Sequence, residues 1–383
     1  MRQITYPAAL GSCCALGGHS SPLEAAEWTL TPTYSATVDY NTNQRLLADS
    51  HGTDMGVITA DLLFKHAAES LDYSLEPRYA FRRFTDSSLG NGDDRSIYAT
   101  LNWTRETTSL NLTASYWDQS TLTTELLETG IVSGDTHRRL GQAAANWVWN
   151  QTEVRSLLTQ FTYLDVSYHG EAAALLPGYR YPSGLIGERF LLNERTSFTF
   201  SVYGSELESD TKGNSSHSVG LQAELVHQFT ERTQIDASVG RSSRVLAGES
   251  NNGLDASISL THTGELSRAS ASYTRSLVPY GFGYLVERQQ YTLSFTEPLS
   301  TTLNATLTGF HIQNNQTAVL LRLDRPSYDS VSLAFNWRPF EHWSLGGQVE
   351  ELRSELPPSD QRVHWVRVSL TATWAPQPKS RSW

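Results

Sequence analysis

The feature that most constrains this sequence is an alternation of apolar and polar residues, which recurs from Trp28 onward in segments of about ten residues. In the first segment the even positions from Trp28 to Tyr40 are apolar or aromatic, and the odd positions from Thr29 to Asp39 are polar. Successive side chains of a β-strand point to opposite faces, so each segment predicts a strand with one apolar face. Further segments of this kind are 97–103, 110–116, 254–260, 291–295, 331–337 and 366–374.

Short turns and longer polar loops alternate between these segments. The short turns fall near Glu69, Glu106, Glu153, Glu194, Glu231, Glu265, Pro298 and Glu341. The longer loops span roughly 41–52, 85–93, 119–136, 169–187, 209–216, 247–252, 279–286, 314–327 and 355–361. These connections imply about eighteen strands, and the difference in length between the two rims is typical of short periplasmic turns and long extracellular loops. Both termini then lie in the periplasm.

The patterns together predict an all-β protein, a single closed, antiparallel, up-and-down transmembrane β-barrel of about eighteen strands. No apolar run is long enough to cross a bilayer as a helix. A large soluble β-sandwich or solenoid is the alternative, but it gives no reason for tryptophan to gather at one class of strand end. The aromatic residues predict one girdle near the short turns (Trp28, Trp103, Trp149, Phe229, Trp337, Trp343 and Trp374) and another near the long loops (Tyr40, Tyr116, Tyr291 and Tyr328).

Three segments are predicted along the chain of 383 residues: a signal peptide at 1–26, the barrel at 27–374 and a short periplasmic tail at 375–383. The leader is atypical, because its apolar region is short and contains glycine, and a misplaced start codon remains an alternative. Both cysteines, Cys13 and Cys14, lie in the leader, so the mature chain would reach the oxidising periplasm without a thiol. Pro376 and Pro378 make the tail unfavourable for extending a strand. The predicted location is the outer membrane of a Gram-negative bacterium.

If the apolar face contacts lipid, the polar face lines the lumen. The charged residues assigned to that face are Asp61, Lys65, Asp72, Glu76, Arg78, Arg82, Glu224, Asp236, Asp255, Arg338, Glu350 and Arg367. One interpretation is a mixed-charge constriction that selects solutes through a transverse field. The other is structural filling by ion pairs, since charges enclosed in a barrel need partners.

Three loops, at 119–136, 169–187 and 279–286, are long or rich enough in glycine and proline to fold inward as a plug or eyelet. Glu125 would supply an acidic group from the first loop. The motif of the third loop comprises Pro279, Gly281, Gly283, Glu287 and Arg288, in which the glycines permit a tight reversal. A surface loop without a function is the alternative for each.

The sequence offers no sign of catalytic, metal or nucleic-acid chemistry. A net charge of -11 without a basic cluster excludes a nucleic-acid partner. No nucleophile elbow of the Gly-x-Ser-x-Gly type is present, and His51, His137, His169 and His217 occur singly in or beside predicted loops. We therefore predict no enzyme activity, no cofactor and no metal ion. The alternative is an embedded catalytic site, if these histidines meet in space.

Several short segments in order along the chain resemble a family of proteobacterial outer-membrane β-barrel porins that accompany exopolysaccharide and exosortase (PEP-CTERM) systems. They are Leu75–Phe84, Ser120–Leu126 with Thr129–Gly130, Tyr163–Tyr168, and Thr274–Pro279 with Gly281, Gly283 and Leu285–Arg288. The resemblance implies an outer-membrane barrel without an established substrate. The chain departs from the family at its end, because such barrels usually stop at a terminal aromatic residue, whereas residues 375–383 follow Trp374.

Three functional hypotheses follow. The first is a porin-like channel serving solute diffusion or, on the resemblance alone, exopolysaccharide export, because porin-class strand numbers leave an aqueous lumen. The second is a plugged structural or assembly barrel that docks a polysaccharide or surface-protein export machine. The third is an outer-membrane enzyme. The expected partners are outer-membrane lipid, the barrel-assembly machinery and polysaccharide export components.

Overall fold

The computed structural model describes residues 27–44, 51–125, 136–211, 215–246, 248–316, 327–356 and 361–382, so the predicted leader lies outside it. Its strands are β1 Glu27–Asn41, β2 Thr53–Ala68, β3 Leu71–Phe84, β4 Gly92–Thr104, β5 Thr108–Ser120, β6 His137–Thr152, β7 Arg155–His169, β8 Tyr179–Asn193, β9 Thr196–Ser209, β10 Ser216–Thr230, β11 Thr233–Leu246, β12 Glu249–Thr263, β13 Arg268–Tyr280, β14 Tyr284–Pro298, β15 Leu303–Gln316, β16 Ser327–Phe340, β17 Trp343–Leu356, β18 Gln361–Trp374 and β19 Lys379–Ser382. Helical structure within these ranges is limited to α1 Thr121–Thr124 and 3-10 turns at Ser87–Leu89 and Glu171–Leu175. None of these helices is long or apolar enough to span a membrane.

The strands form one closed antiparallel barrel, which confirms the predicted fold. Each strand from β1 to β18 pairs with the next along the chain, and β18 returns to pair with β1. Eighteen strands make the wall, and β19 is an additional short strand. Every position predicted for a short turn falls at or beside the end of a strand, from Glu69 between β2 and β3 to Glu341 between β16 and β17.

Three of the predicted loops are shorter than expected. β8 begins at Tyr179, so the loop predicted at 169–187 ends much earlier. β12 begins at Glu249, and β13 and β14 leave only 281–283 between them. In each of these segments the backbone continues the ladder with a neighbouring strand, so the strands extend further than the sequence pattern indicated.

The apolar face of the strands points outward. Val38, Ile58, Leu293 and Leu370 are between 63% and 66% exposed, and they form part of a continuous apolar belt. An apolar surface of this extent is unfavourable in water and suits the hydrocarbon core of a bilayer. On each strand, odd and even positions face opposite sides of the sheet. The twelve charged residues assigned to the lumen all alternate with the exposed apolar residues of their own strand, and they therefore point to the interior.

The aromatic residues follow the predicted girdles with one exception. Trp149, Trp337, Trp343 and Trp374 are exposed on the outer face near the short turns, and Tyr40, Tyr116 and Tyr291 are exposed nearer the loops. Tyr328 was assigned wrongly, because it is 5% exposed and packs inside the barrel. The reason is its register: Val331, Leu333 and Phe335 place the odd positions of β16 outside, so an even position faces inward.

The barrel closes at a seam in which β1 contacts two strands. Tyr34–Asn41 pair with β18, whereas Glu27–Leu30 pair with β19. The expectation that the tail would not extend a strand is therefore wrong for Lys379–Ser382. Pro376 and Pro378 lie in the break between β18 and β19, where their missing N–H groups interrupt no ladder hydrogen bond.

Candidate functional site: the interior of the barrel

Hydroxyl groups line much of the inward face. Threonine and serine side chains of adjacent strands form hydrogen-bonded pairs around the barrel, at 2.6 to 3.2 Å: Thr37 with Thr371, Ser74 with Thr100, Thr162 with Ser183, Ser205 with Ser218, Ser238 with Ser257, and Thr296 with Thr306. Such pairs satisfy each other and also hydrogen-bond water. The interior is therefore polar around most of its circumference.

Several of the predicted lumen charges are neutralised by neighbours. Arg78 Nε lies 3.5 Å from Asp61 Oδ1, and Arg82 forms a close ion pair with Asp94. Arg367 likewise binds Asp39. Partnered carboxylates also include Asp236, which accepts from Gln234, and Glu350, which accepts from Ser330 at 2.9 Å. These contacts favour the interpretation of paired structural charge at these positions.

The remaining assigned residues differ in their surroundings. Lys65, Asp72 and Arg338 lie within a few positions of the short turns, and Glu76 and Glu224 lie further along the inward face. The side chain of Arg78 is 45% exposed despite its partner, so it still presents charge to the lumen. Arg82 does not, because it is buried.

Arg244 is the centre of a buried ion-pair network that the sequence did not reveal. This side chain on β11 is 1% exposed, and Nη2 lies 2.7 Å from Asp255 Oδ1 on β12. Its Nη1 lies 3.4 Å from Glu287 Oε2 on β14, and its Nε donates to Ser242 Oγ. Glu287 also pairs with Arg275 at 2.9 Å. Two arginines and two carboxylates therefore bind β14 to the wall made by β11 and β12.

The hairpin of β13 and β14 leaves the barrel wall at this network. The β12–β13 ladder ends where Ala256 pairs with Arg275, although β12 continues beside β11 to Glu249. At the tip, Gly283 has a φ of 71° and lies against Ser209 of β9 and Pro177 of the loop between β7 and β8. β9 is not a neighbour of β14 in the sheet. The segment 276–285, called the inner hairpin below, therefore reaches across the interior.

Apolar packing holds the inner hairpin in place. Leu285 belongs to a buried cluster of side chains from four other strands, and Leu277 packs against it; the cluster comprises Val166, Tyr179, Leu207, Leu246 and Leu285. Tyr280 is buried at the tip beside the rings of Phe282 and Tyr284. The prediction that 279–286 would fold inward fits this arrangement, and the alternative of a bare surface loop does not. In the motif of this loop, Pro279 pairs with Leu285 in the ladder and Gly281 is buried, while Arg288 donates to Asn314.

The loop after β5 also begins inside. Glu125 is fully buried, accepts a hydrogen bond of 3.0 Å from the Tyr168 hydroxyl and lies 3.5 Å from Arg138 Nε. This carboxylate ties the start of the loop to β6 and β7. Residues 126–135, with the rest of that loop, lie outside the described ranges.

A second apolar cluster lies on the opposite side of the interior, on β15 to β18. Its members are Ile312, Tyr328, Leu352, Val363 and Trp365. Together with the inner hairpin, it narrows the loop end of the barrel. The short-turn end keeps the polar lining described above.

A group of possible metal ligands lies on the outer face. It joins two of the histidines singled out in the sequence, His137 and His169, to Asp118, which was not singled out. Asp118, His137 and His169 place one ligand atom each within 4.8 Å of the others. They come from β5, β6 and β7, and only the strand register brings them together.

The comparisons with known proteins support the fold. No family model matches the sequence, and no curated protein matches it. Among solved structures, Acinetobacter baumannii OccAB3 has a TM-score of 0.50 at 8% identity, over 92% of this chain and 99% of that one. Pseudomonas aeruginosa OccK7 (OpdD) has a TM-score of 0.50 at 11% identity, over 92% and 99%. At these identities the likeness shows the fold alone, and this chain shares the closed barrel fold of both proteins.

Proposed function

We propose that this protein is a porin-like channel of the outer membrane, through which small polar solutes diffuse past the inner hairpin. The observation that carries the proposal is the hydroxyl-lined inward face of an eighteen-stranded barrel. A barrel of about eight strands is filled by its own side chains, whereas about sixteen to eighteen strands leave room for an aqueous channel.

The inner hairpin supplies the narrowest part of this channel. It crosses from β13 and β14 to β9 and is fixed at its base by Arg244 and Glu287. Its position sets the size of the solutes that pass. Arg78 contributes to charge selection, because it is the arginine of β3 whose inward side chain remains accessible.

Conductance in planar bilayers tests the channel. We expect steady conductance from the wild type, and a larger single-channel conductance from a variant in which residues 278–286 are replaced by a two-residue turn. Arg78→Glu should shift the reversal potential under a salt gradient toward cations. Arg83→Glu is the matched control. Arg83 has the opposite parity to Arg78 on β3, and its guanidinium lies over the ring of Phe81 on the outer face.

The plugged structural barrel is the second candidate, favoured by the two apolar clusters at the loop end. It takes the place of the channel if the wild type shows no conductance while its gel mobility still changes on heating. Export of exopolysaccharide and docking of its export components rest on the resemblance of short segments alone. Release of labelled dextrans and of small sugars from proteoliposomes distinguishes a polysaccharide path from solute diffusion. Passage of small sugars alone would contradict polysaccharide export.

A further inference from the structure

We propose that Asp118, His137 and His169 bind one divalent transition-metal ion on the outer face of the barrel. Asp118 lies two positions beyond Tyr116, a member of the tyrosine girdle on the loop side. His137 begins β6 and His169 ends β7. All three share the outward parity of their strands, so the site lies just beyond the apolar belt, where water and lipid headgroups meet.

The distances suit a single ion. Asp118 Oδ1 is 3.1 Å from His137 Nδ1 and 3.9 Å from His169 Nε2. A zinc ion lies about 2.0 to 2.2 Å from nitrogen and oxygen ligands, which puts neighbouring ligand atoms about 3 to 3.6 Å apart. All three ligand atoms lie within 4.8 Å of one another, so the His169 ring has to move closer to the other two ligands when the ion binds.

The strand ladder positions the three side chains before any ion binds. His137 and His169 are directly opposite each other, and their ring centroids are 5.3 Å apart. Asp118 is opposite Arg139, and Arg139 lies two positions after His137 on β6. Sites built on strands are more rigid than sites on loops. His169 Nε2 is the nitrogen that faces Asp118, and its buried Nδ1 has no hydrogen-bond partner among the described residues.

The donor set indicates the class of ion. Two imidazoles and one carboxylate suit zinc, nickel, copper or iron, whereas calcium and magnesium prefer sites made of oxygen. The side chains are partly exposed, so water completes the coordination. One neighbour opposes binding: Arg139 Nε lies 3.5 Å from Asp118 Oδ2 and adds a positive charge.

Titration calorimetry with zinc chloride tests the site on the full mature chain, folded in detergent and purified without a histidine tag. We expect one ion per chain. Loss of an outer-shell partner typically weakens metal binding about 10- to 100-fold, so removal of a direct ligand should weaken it at least about tenfold. His137→Ala, His169→Ala and Asp118→Asn should each show this loss, and Arg139→Gln should bind zinc more tightly.

His311→Ala is the matched control. His311 Nδ1 lies 2.6 Å from Asp329 Oδ1 on the outer face, which resembles the contact between His137 and Asp118. Among the described residues, this pair has no third ligand beside it. This variant should bind zinc as the wild type does. The proposal is overturned if the wild type binds no zinc, or if His137→Ala and His169→Ala bind zinc with the affinity of the wild type.

Electron paramagnetic resonance of bound Cu²⁺ gives a second readout that does not depend on affinity. The wild type should show hyperfine coupling from two nitrogen ligands, and His169→Ala should show coupling from one. A change of gel mobility on heating establishes that each variant is folded before either measurement. A wild-type spectrum identical to that of His169→Ala contradicts the site.

Discussion

Leu293 and Thr292 are adjacent residues with opposite surroundings, and arginine at each position tests the assignment of the two faces. Leu293 is 63% exposed on the outer face, between Tyr291 and Phe295. Thr292 points inward, and its Oγ1 accepts a hydrogen bond of 3.2 Å from Gln290 Nε2. Leu293→Arg should therefore place a guanidinium in lipid, whereas Thr292→Arg should place it in a hydrated lumen.

The expected difference follows from these surroundings. Arginine on the lipid face costs about 2 to 4 kcal/mol near the bilayer midplane. Thr292→Arg removes one hydrogen bond, which costs about 1 kcal/mol. The variants should therefore differ by about 1 to 3 kcal/mol in the free energy of unfolding, or about 5- to 150-fold in the folding equilibrium.

Folding into lipid vesicles at increasing urea concentration measures this equilibrium, with the heat-dependent gel mobility as the signal for the folded barrel. Leu293→Ser is the control for loss of the leucine side chain without a charge. Equal tolerance of arginine at both positions would refute the assignment of the faces and, with it, the inward position of the charged residues.

Three further predictions concern the whole barrel, the inner hairpin and the seam. The detergent-folded protein should have a β-dominated far-UV circular dichroism spectrum, and a helical spectrum would contradict the fold. Gly283→Ala should destabilise the docked position of the inner hairpin by about 1 kcal/mol or more, because φ is 71° and a Cβ would lie 3.1 Å from Pro177 Cγ. Unchanged protease resistance of the hairpin would argue against this. Removal of residues 375–383 should lower the unfolding temperature, because Glu27–Leu30 would lose their ladder with β19. An unchanged temperature would show that β19 adds no stability.

The wall of the barrel was predictable because it depends on local signals. Alternation fixes which face of a strand is apolar, and each short turn is marked by a nearby acidic residue or proline. The same alternation predicted which residues face the interior of the barrel. Tyr328 was the exception, because a girdle assignment made from distance to a loop ignored the parity set by Val331.

The inner hairpin was harder to predict, because alternation does not show where a strand leaves its neighbour. Glu287 has the parity of Tyr291 and Leu293, which are exposed on the outer face, yet it binds Arg244 in the interior. This reversal depends on the twist of the hairpin after the ladder with β12 ends. The alternation of residues therefore does not show where the hairpin leaves the wall, whereas Pro279, Gly281 and Gly283 mark the loop that folds inward.

The cluster of Asp118, His137 and His169 was not predictable for a different reason. The two histidines are opposite each other only because of the register between β6 and β7. Asp118 reaches them across the ladder between β5 and β6, whose connecting loop is long. Register across a long loop is not fixed by turn type, so the sequence did not place Asp118 beside the histidines. His137 and His169 lie on strands joined by the short turn near Glu153, and they were singled out in the sequence.

The seam at which β1 pairs with β18 and β19 differs from the other strand pairs in the distance along the chain that it spans. Most neighbouring strands are joined by a turn or loop, whereas the hydroxyls of Thr37 and Thr371, 2.9 Å apart, are separated by 334 positions. Bringing such distant segments together costs roughly 5 kcal/mol of chain entropy. The adjacent hairpins incur little of that cost, so we expect them to form first and the seam last. Until then β1 and β18 present unpaired backbone groups, and a chain delayed at that stage is exposed to pairing with another copy.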